Sequence, residues 1–235
     1  MSNVVVVPLT VEQELVIASD NSGAIGEKPD DAVRTSNSVV GRFACRVAAM
    51  ECLAAGGDIQ TVVIHNFTSD EAWPAYKYGV AAVLNELGSE RIPMTGSSES
   101  NFAGLQSGFG LTIIGTRPIG KTSRLSGREA FAVIGKPLVG KEVLEQYDDV
   151  APLWLFQHLC RLESVKAVLP VGSKGIAEKW RGWTHRSNKL ECVLNLEKSA
   201  GPATCFLIAF DKDDEPNISS IAGRYFHRLL AVESE

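Results

Sequence analysis

Five carboxylates stand out by placement. Asp20 ends an apolar run, Asp30 and Asp31 lie in the loop that follows, Glu51 sits on the next helical stretch, and Glu99 follows a second short apolar run in a Gly/Ser segment. Hard cations such as Mg2+ take oxygens from one or two carboxylates plus nucleotide phosphates, and strand ends are where such ligands converge. The chemistry to expect of carboxylates so placed is metal-assisted handling of phosphate. Taken singly, acidic loop residues are more often solvated turn formers. Glu51 differs, because it adjoins an apolar stripe containing Val47 and Met50.

Two glycine segments bear on the same chemistry. Gly172-Ser173-Lys174-Gly175 follows a strand-like run and precedes a helical one, a geometry in which backbone amides approach phosphate and Lys174 neutralises it. A plain strand-to-helix turn with an exposed lysine fits the same residues. Gly115 to Thr122 satisfies the G-x-x-x-x-G-K-[ST] pattern, with Lys121 as its lysine. A working phosphate loop opens directly into a helix, and residues 122–127 (Thr-Ser-Arg-Leu-Ser-Gly) make a poor one, so a chance match is expected. His65-Asn66 at a strand end could orient a substrate, although a single histidine there is more often a structural hydrogen-bonder.

The elements that must hold these residues are legible in outline. Val4 to Leu9 and Glu14 to Ser19 are β-rich, and Asp20 to Asp31 reads as a loop. From Ser38, Val39, Phe43, Val47, Met50 and Ala54 recur at helical spacing until Gly56-Gly57 stops them. A strand over Thr61–His65, a helix from Ser69 or Asp70 to Gly88, a brief strand Ile92–Thr95 entering a turn, and a strand Leu111–Gly115 follow. After a Gly/Ser/basic stretch near Gly120–Arg128, a new succession begins. It contains strands at Ala130–Ile134, Val165–Leu169, Glu191–Leu196 and Thr204–Phe210, and helices at Leu153–Leu162 and Ile218–Leu230.

Composition sets the outer bounds. The 235 residues carry 23 basic and 28 acidic side chains, a balance of −5 without a basic patch, which argues against a nucleic-acid partner. No apolar run reaches the roughly 18 residues a membrane span needs, so no membrane partner is expected and the protein is placed in the cytoplasm. Five cysteines without C-x-x-C spacing predict reduced, packed thiols, not a disulfide framework or zinc knuckle.

In order, Asp20-Asn21-Ser22-Gly23, Asp30-Asp31-Ala32-Val33, the helix from Phe43 to Gly57 with Met50-Glu51-Cys52, and Thr95-Gly96-Ser97-Ser98-Glu99 resemble the aminoimidazole ribonucleotide synthetase superfamily. That superfamily includes thiamine monophosphate kinase and selenophosphate synthetase. Arg46 to Glu51, Leu169 to Ile176 and Ser199 to Thr204 are similar to its α-ribazole kinase-like branch, so the resemblance spans nearly the whole chain. It implies an α/β (α+β) fold of two domains. Residues 1–125 would form a mixed sheet with helices that pairs across a homodimer into a barrel and binds ATP and Mg2+. Residues 126–235 would form a smaller α+β domain.

Position by position, the resemblance makes Asp20 catalytic and a metal ligand, and makes Asp31, Glu51 and Glu99 further ligands. Gly23, Asp31, Gly96, Ser97 and Ser98 would contact the nucleotide. Gly172, Ser173 and Gly175 would lie near phosphates, and Lys174 would offset charge on the transferring phosphoryl group. Relatives commonly carry aspartate where Glu51 stands and a second glycine within Ser97-Ser98, and the second part is short for the superfamily. The function implied is an ATP-dependent kinase of a small molecule, α-ribazole by closest likeness. The alternatives are a P-loop NTPase through Gly115–Thr122, or a non-catalytic protein that binds a nucleotide or metabolite.

Overall fold

The apolar opening folds as a hairpin of β1 (Val4–Pro8) and β2 (Gln13–Gly23). Next come β3 (Ile25–Gly26), β4 (Val33–Arg34), α1 (Asn37–Ala54), β5 (Asp58–Asn66), α2 (Trp73–Glu86), β6 (Met94–Ser98) and β7 (Gly108–Pro118). The computed structural model describes residues 4–120, 125–186 and 188–232. The chain divides into two compact units, residues 2–121 and 122–235.

In the first unit the strands lie in the order β1-β2-β7-β5-β6, antiparallel throughout except for the parallel pair β5–β6, so the sheet is mixed. α1 packs on β2, β7 and β5, and α2 packs on α1. The side chains under α1, such as Val16, Ala18, Val62, Ile64, Leu111 and Ile113, are fully buried. Their neighbours one residue away, such as Ile17, Val63 and Ile114, are only half-buried. One sheet face is therefore covered by helices and the other is open.

Several boundaries differ from those read in the sequence. β2 continues past Ser19 because it pairs with β7 residue for residue from Gln13↔Pro118 to Gly23↔Gly108, so Asp20 lies within a strand. Gly96 to Ser98 form the edge strand β6 where a turn was expected. They pair with Ile64 to Asn66, and a Cβ at Gly96 would overlap the Ile64 carbonyl oxygen. Gly115 to Pro118 belong to β7, with Gly115 closed in by Cys52 Sγ at 2.7 Å and Asp58 O at 2.9 Å of a built Cβ. A strand interior cannot wrap a phosphate, which removes the P-loop reading for these residues; Lys121 and Thr122 lie outside the described residues.

The second unit contains β8 (Ala130–Ile134), α3 (Glu142–Glu145), α4 (Leu153–Leu159), β9 (Val165–Pro170), α5 (Gly175–Thr184), β10 (Lys189–Glu191), β11 (Phe206–Phe210), α6 (Glu215–Ala222) and β12 (Phe226–Val232). Its sheet runs β10-β12-β8-β11-β9, antiparallel at every pairing. All five residues of β11 are buried because both faces are covered. Phe131, Val133, Leu207 and Ala209 meet Trp180 of α5, while Phe206 meets Phe156 of α4 edge-on at 4.9 Å. The expected helix Ile218–Leu230 stops at Ala222, and Gly223 (φ 52°) turns the chain into β12. Among the described residues no helix is long and apolar enough to cross a membrane. All five cysteines are free.

Candidate functional site

α1 is built to hold Glu51 against the sheet. Ser36 caps its first turn by accepting from the Val39 amide (3.4 Å), and Glu27 accepts from the Asn37 amide (2.9 Å). Gly56 (φ 78°) ends it, and Gly57 lets the chain turn tightly beside Val16. Glu51 lies on the buried side between Met50 and Cys52 and is 8% exposed. Asp20 follows Val16 and Ala18 on the helix-facing side of β2. Burial pushes the Asp20 carboxyl up to about 7; the Asn21 amide pulls it back, and the negative charge of Glu51 adds to the rise. Two carboxylates sharing a poorly hydrated pocket repel unless a proton or a cation lies between them. These donors fit a hard divalent ion that draws its remaining ligands from phosphate and water.

Asp31 has a different environment. Ser107 donates to both its oxygens, from the backbone amide to Oδ1 (2.7 Å) and from the hydroxyl to Oδ2 (2.7 Å), and the Lys28 amide also donates to Oδ2 (2.8 Å). Burial raises its pKa, but the bonds from Ser107 and Lys28 outweigh burial and hold it below the usual carboxylate range. Asp31 thus pins the loop after β2 to the start of β7. Gly26 must lack a side chain here, since a Cβ would overlap Ser107.

The register fixes where the remaining candidates lie. Asp20, Leu111, Ile64 and Gly96 form one row across β2, β7, β5 and β6. Asn21, Gly110, His65 and Ser97 form the next, and Ser22, Phe109, Asn66 and Ser98 the third. Asp20, Gly23, Gly96, Ser97, Ser98 and Glu99 therefore share one end of the sheet. β2 and β6 are three strand spacings apart, about 14 Å, too far for Asp20 and Glu99 to meet on one ion with ligand distances of about 2 Å. Glu99 accepts from the Asn101 amide (2.7 Å). Among the described residues no group of three or more His, Cys, Asp or Glu side chains is gathered to hold a metal, so the four carboxylates do not make one centre. Of the four, Asp20 and Glu51 are near enough for the charge of Glu51 to add to the rise of the Asp20 carboxyl.

Of the residues that brace this end of the sheet, sequence reasoning singled out Asn66, with His65, as a group that could orient a substrate, and missed Thr68 and Tyr76. Asn66, 1% exposed, donates to Ser98 Oγ (2.8 Å) and Ser69 O (2.6 Å), and its Oδ1 accepts from the Thr68 amide (3.0 Å). Thr68 Oγ1 shares a hydrogen bond with Tyr76 Oη (2.7 Å), and the Tyr76 ring stacks on Phe109 at 4.3 Å. The Asn-Phe-Thr spacing of an Asx turn was the one signal available for Thr68. Nothing in the sequence marks Ser107 or Glu27.

In the second unit, Gly175 (φ 79°) is required by the backbone of Leu196 and Glu197, which lies 2.8–3.0 Å from a built Cβ. The Ala177 amide donates to Leu196 O and the Ala200 amide to Gly172 O, so the chain itself braces this loop and uses part of its hydrogen-bonding capacity. Gly172, Ser173 and Lys174 remain exposed, with Gly201 beside the Ser173 amide. A surface depression of about 470 Å3 in the same unit is lined by Lys212, Asp213, Glu215, Pro216, Ser219 and Arg228. Its Arg228 is already paired with Glu215, and none of the candidate residues lines it.

No protein-family profile matches the sequence, and no curated protein does. Solved structures do. The hydrogenase maturation protein HypE of E. coli superposes with a TM-score of 0.64 at 13% identity, covering 93% of this chain and 80% of that one. AaThiL, the thiamine monophosphate kinase of Aquifex aeolicus complexed with AMPPCP and TMP, gives 0.64 at 13% identity and covers 100% and 85%. T. maritima PurL complexed with ATP gives 0.60 at 12% identity, covering 97% of this chain and 42% of that one. The mixed first sheet, the antiparallel second sheet and these superpositions together give the chain the fold of the aminoimidazole ribonucleotide synthetase superfamily, shared by HypE, thiamine monophosphate kinase and PurL.

Proposed function

We propose that the protein is an ATP-dependent kinase of a small hydroxyl-bearing molecule, acting in the cytoplasm as a homodimer. The observation that carries this reading is the carboxylate pair of half-buried Asp20 and buried Glu51, set on a fold that thiamine monophosphate kinase displays with an ATP analogue bound. Magnesium, when bound, supplies the positive charge that a triphosphate needs for phosphoryl transfer. Asp20 and Glu51 would hold it from beneath α1, in a pocket with little competing water. Asp31 keeps the loop after β2 in place through Ser107. Glu99, beyond β6, would engage a second ion or a more distant part of the nucleotide, with Gly23, Gly96, Ser97 and Ser98 along the same sheet end. In the second unit the exposed Gly172, Ser173 and Lys174, with Gly175 behind them, offer amides and an ammonium suited to phosphate. The enzyme would contribute mainly position and charge.

The acceptor to try first is α-ribazole. Protein with Mg2+, ATP and α-ribazole should yield the phosphorylated nucleoside by mass spectrometry, and Asp20→Asn should lower the rate at least 100-fold. If ATP with Mg2+ raises Tm but ADP never forms with any nucleoside or vitamin alcohol, the chain is a non-catalytic nucleotide binder. If ATP leaves Tm unmoved, both readings fail.

A further inference from the structure

His227 of the second unit lies on β12 opposite Val133 of β8, and its Nε2 is shut off from solvent with no hydrogen-bond partner among the described residues. An imidazole held that way resists taking a proton. The charged groups that act on it come from two other segments. Lys136, just past the end of β8, and Asp149, in the Tyr147–Asp149 turn, pair with each other at 2.9 Å. β8 presents only apolar side chains over Phe131–Ile134, and Lys189 and Glu191 of β10 lie farther along, opposite Val232 and Leu230. On the turn before β12, Arg224 stacks over Tyr225 and donates to Asp148 O. Burial is the main cause that lowers the pKa of His227; Lys136 lowers it further, and Asp149 opposes both. The neutral ring therefore suits the fold. Its contribution to stability is whole above the ordinary 6.5 and is lost as pH falls through the folded value.

The same Lys136 begins a chain of hydrogen bonds that ends in the glycine loop. Its carbonyl accepts from Thr204 Oγ1 (2.8 Å), the Thr204 amide donates to Ala200 O (3.1 Å), and the Ala200 amide donates to Gly172 O (3.1 Å). Thr204 and Ala200 are fully buried. Thr204 is held from its other side as well, since its Oγ1 accepts from the Leu138 amide (3.0 Å) and its carbonyl from the Ala151 amide (2.9 Å). Gly135 (φ 85°) leaves no slack beside it, because a built Cβ would stand 2.8 Å from both Ala151 Cβ and Thr204 O. A shift of Lys136 in so closely packed a junction is passed on to its partners, not absorbed.

We infer that His227 is a proton-operated positioning residue for the loop Gly172-Ser173-Lys174, acting through Lys136 and Thr204. While His227 is neutral, Lys136 stays on Asp149 and the chain of bonds holds Gly172. A proton on His227 sets a second cation beside Lys136, and the two compete for the single Asp149 carboxylate. Lys136 yields, its carbonyl shifts against Thr204, and Gly172 loses its fixed place. The exposed Ser173 and Lys174 follow. What this does to a bound phosphate rests on the kinase reading above; the coupling of His227 to the loop does not.

Nuclear magnetic resonance of the full chain between pH 5 and pH 8, without nucleotide, is the direct test. The amide signals of Gly172, Ser173 and Gly175 should shift with one midpoint, the same as that of the His227 ring protons. His227→Gln should abolish that titration, and Lys136→Met, which removes the competing cation, should raise the midpoint by at least about half a pH unit. Loop amides that stay still while His227 titrates, or that titrate unchanged in His227→Gln, overturn the coupling, as does a His227 that takes up no proton above pH 5. Should His227→Gln fail to fold, Lys136→Met decides, and a midpoint that does not rise overturns it. ATP should bind wild type at least about fivefold more weakly at pH 5.5 than at pH 7.5, and His227→Gln should lose most of that ratio. A loop that follows His227 without any effect on ATP would remove the phosphate role of Gly172 to Gly175 and keep the proton control. Active phosphoryl transfer with a loop that ignores His227 would do the reverse.

Discussion

Ser107 holds Asp31 at both carboxylate oxygens, through its amide and its hydroxyl, each at 2.7 Å. The two residues are 76 positions apart, so this clasp joins the loop after β2 to the strand that completes the centre of the sheet. Hydrogen bonds to a charged group contribute about 1.5–3 kcal/mol each when buried. Asp31→Ala should therefore destabilise the protein by about 3 kcal/mol or more in urea unfolding. The folded-state pKa of Asp31 lies below its ordinary 3.8, so this stabilisation is present above that pH and is lost as pH falls through the folded value. An Asp31→Ala protein as stable as wild type at neutral pH would contradict the role assigned to the clasp.

Asp20 has the opposite sign. Its folded-state pKa of about 7 stands above 3.8, so the protonated form favours folding. That contribution is whole below about pH 4 and lost as the pH rises to about 7. In metal-free buffer the Tm of wild type, taken relative to Asp20→Asn, should fall across this interval. Magnesium should then stabilise wild type more at pH 8 than at pH 5, because it binds the ionised pair. A difference that stays flat with pH would show that Asp20 is not confined beside Glu51 as described.

Gly96 offers a test of the edge strand. A Cβ there would overlap Ile64 O, and backbone cannot yield as a flexible side chain can. Gly96→Ala should cost at least about 3 kcal/mol or prevent folding, whereas Gly88→Ala, at a helix end with open space, should incur only the strain of its left-handed φ. Comparable unfolding midpoints for the two variants would mean that β6 does not pair as described.

What the sequence made legible was periodicity and punctuation. α1 was found from its recurring apolar residues and its Gly56 stop. The buried face was misread by one position, because Val39, Phe43 and Val47 are half-buried while Val40, Ala44 and Ala48 are fully covered. Small residues make that face, since α2 comes close enough for Gly41 and Gly79 to touch its partner's backbone. Gly96-Ser97-Ser98 was invisible as a strand because its stability comes from β5, not from its own side chains. The Asp20–Glu51 pairing was within reach, since both were singled out. The separation of Glu99 and the occupation of Asp31 depend on register and on Ser107, which a single chain read in order does not reveal.

Lys121 provides a sharp negative. It completes a phosphate-loop pattern whose Gly115 and Pro118 are locked in β7. Lys121→Ala should leave nucleotide affinity within about twofold of wild type, since no helix N-terminus is presented there among the described residues. A loss of tenfold or more in a nucleotide titration would return the P-loop reading to contention.

The open face of the first sheet sets the last expectation. Val5 pairs with Ile17, Ile17 with Ile114 and Ile114 with Thr61, so an apolar row crosses three strands on the side without helices and ends at Thr61 of β5, and Val5 is 58% exposed. β1 is also an edge strand, with one side unpaired. A second copy laid face to face would cover the apolar row, and the β1 edge is satisfied where it pairs with a strand of that copy; a stable contact needs roughly 800 Å2 from each partner. Wild type should therefore sediment as a dimer, and Val5→Asp with Ile17→Lys should sediment as a monomer with its circular dichroism spectrum intact. Each substitution places a charge on the face that would be desolvated, and neither touches the core beneath α1. Wild type at the monomer mass at tens of micromolar would remove the dimer, and a double variant that still dimerises would move the interface elsewhere.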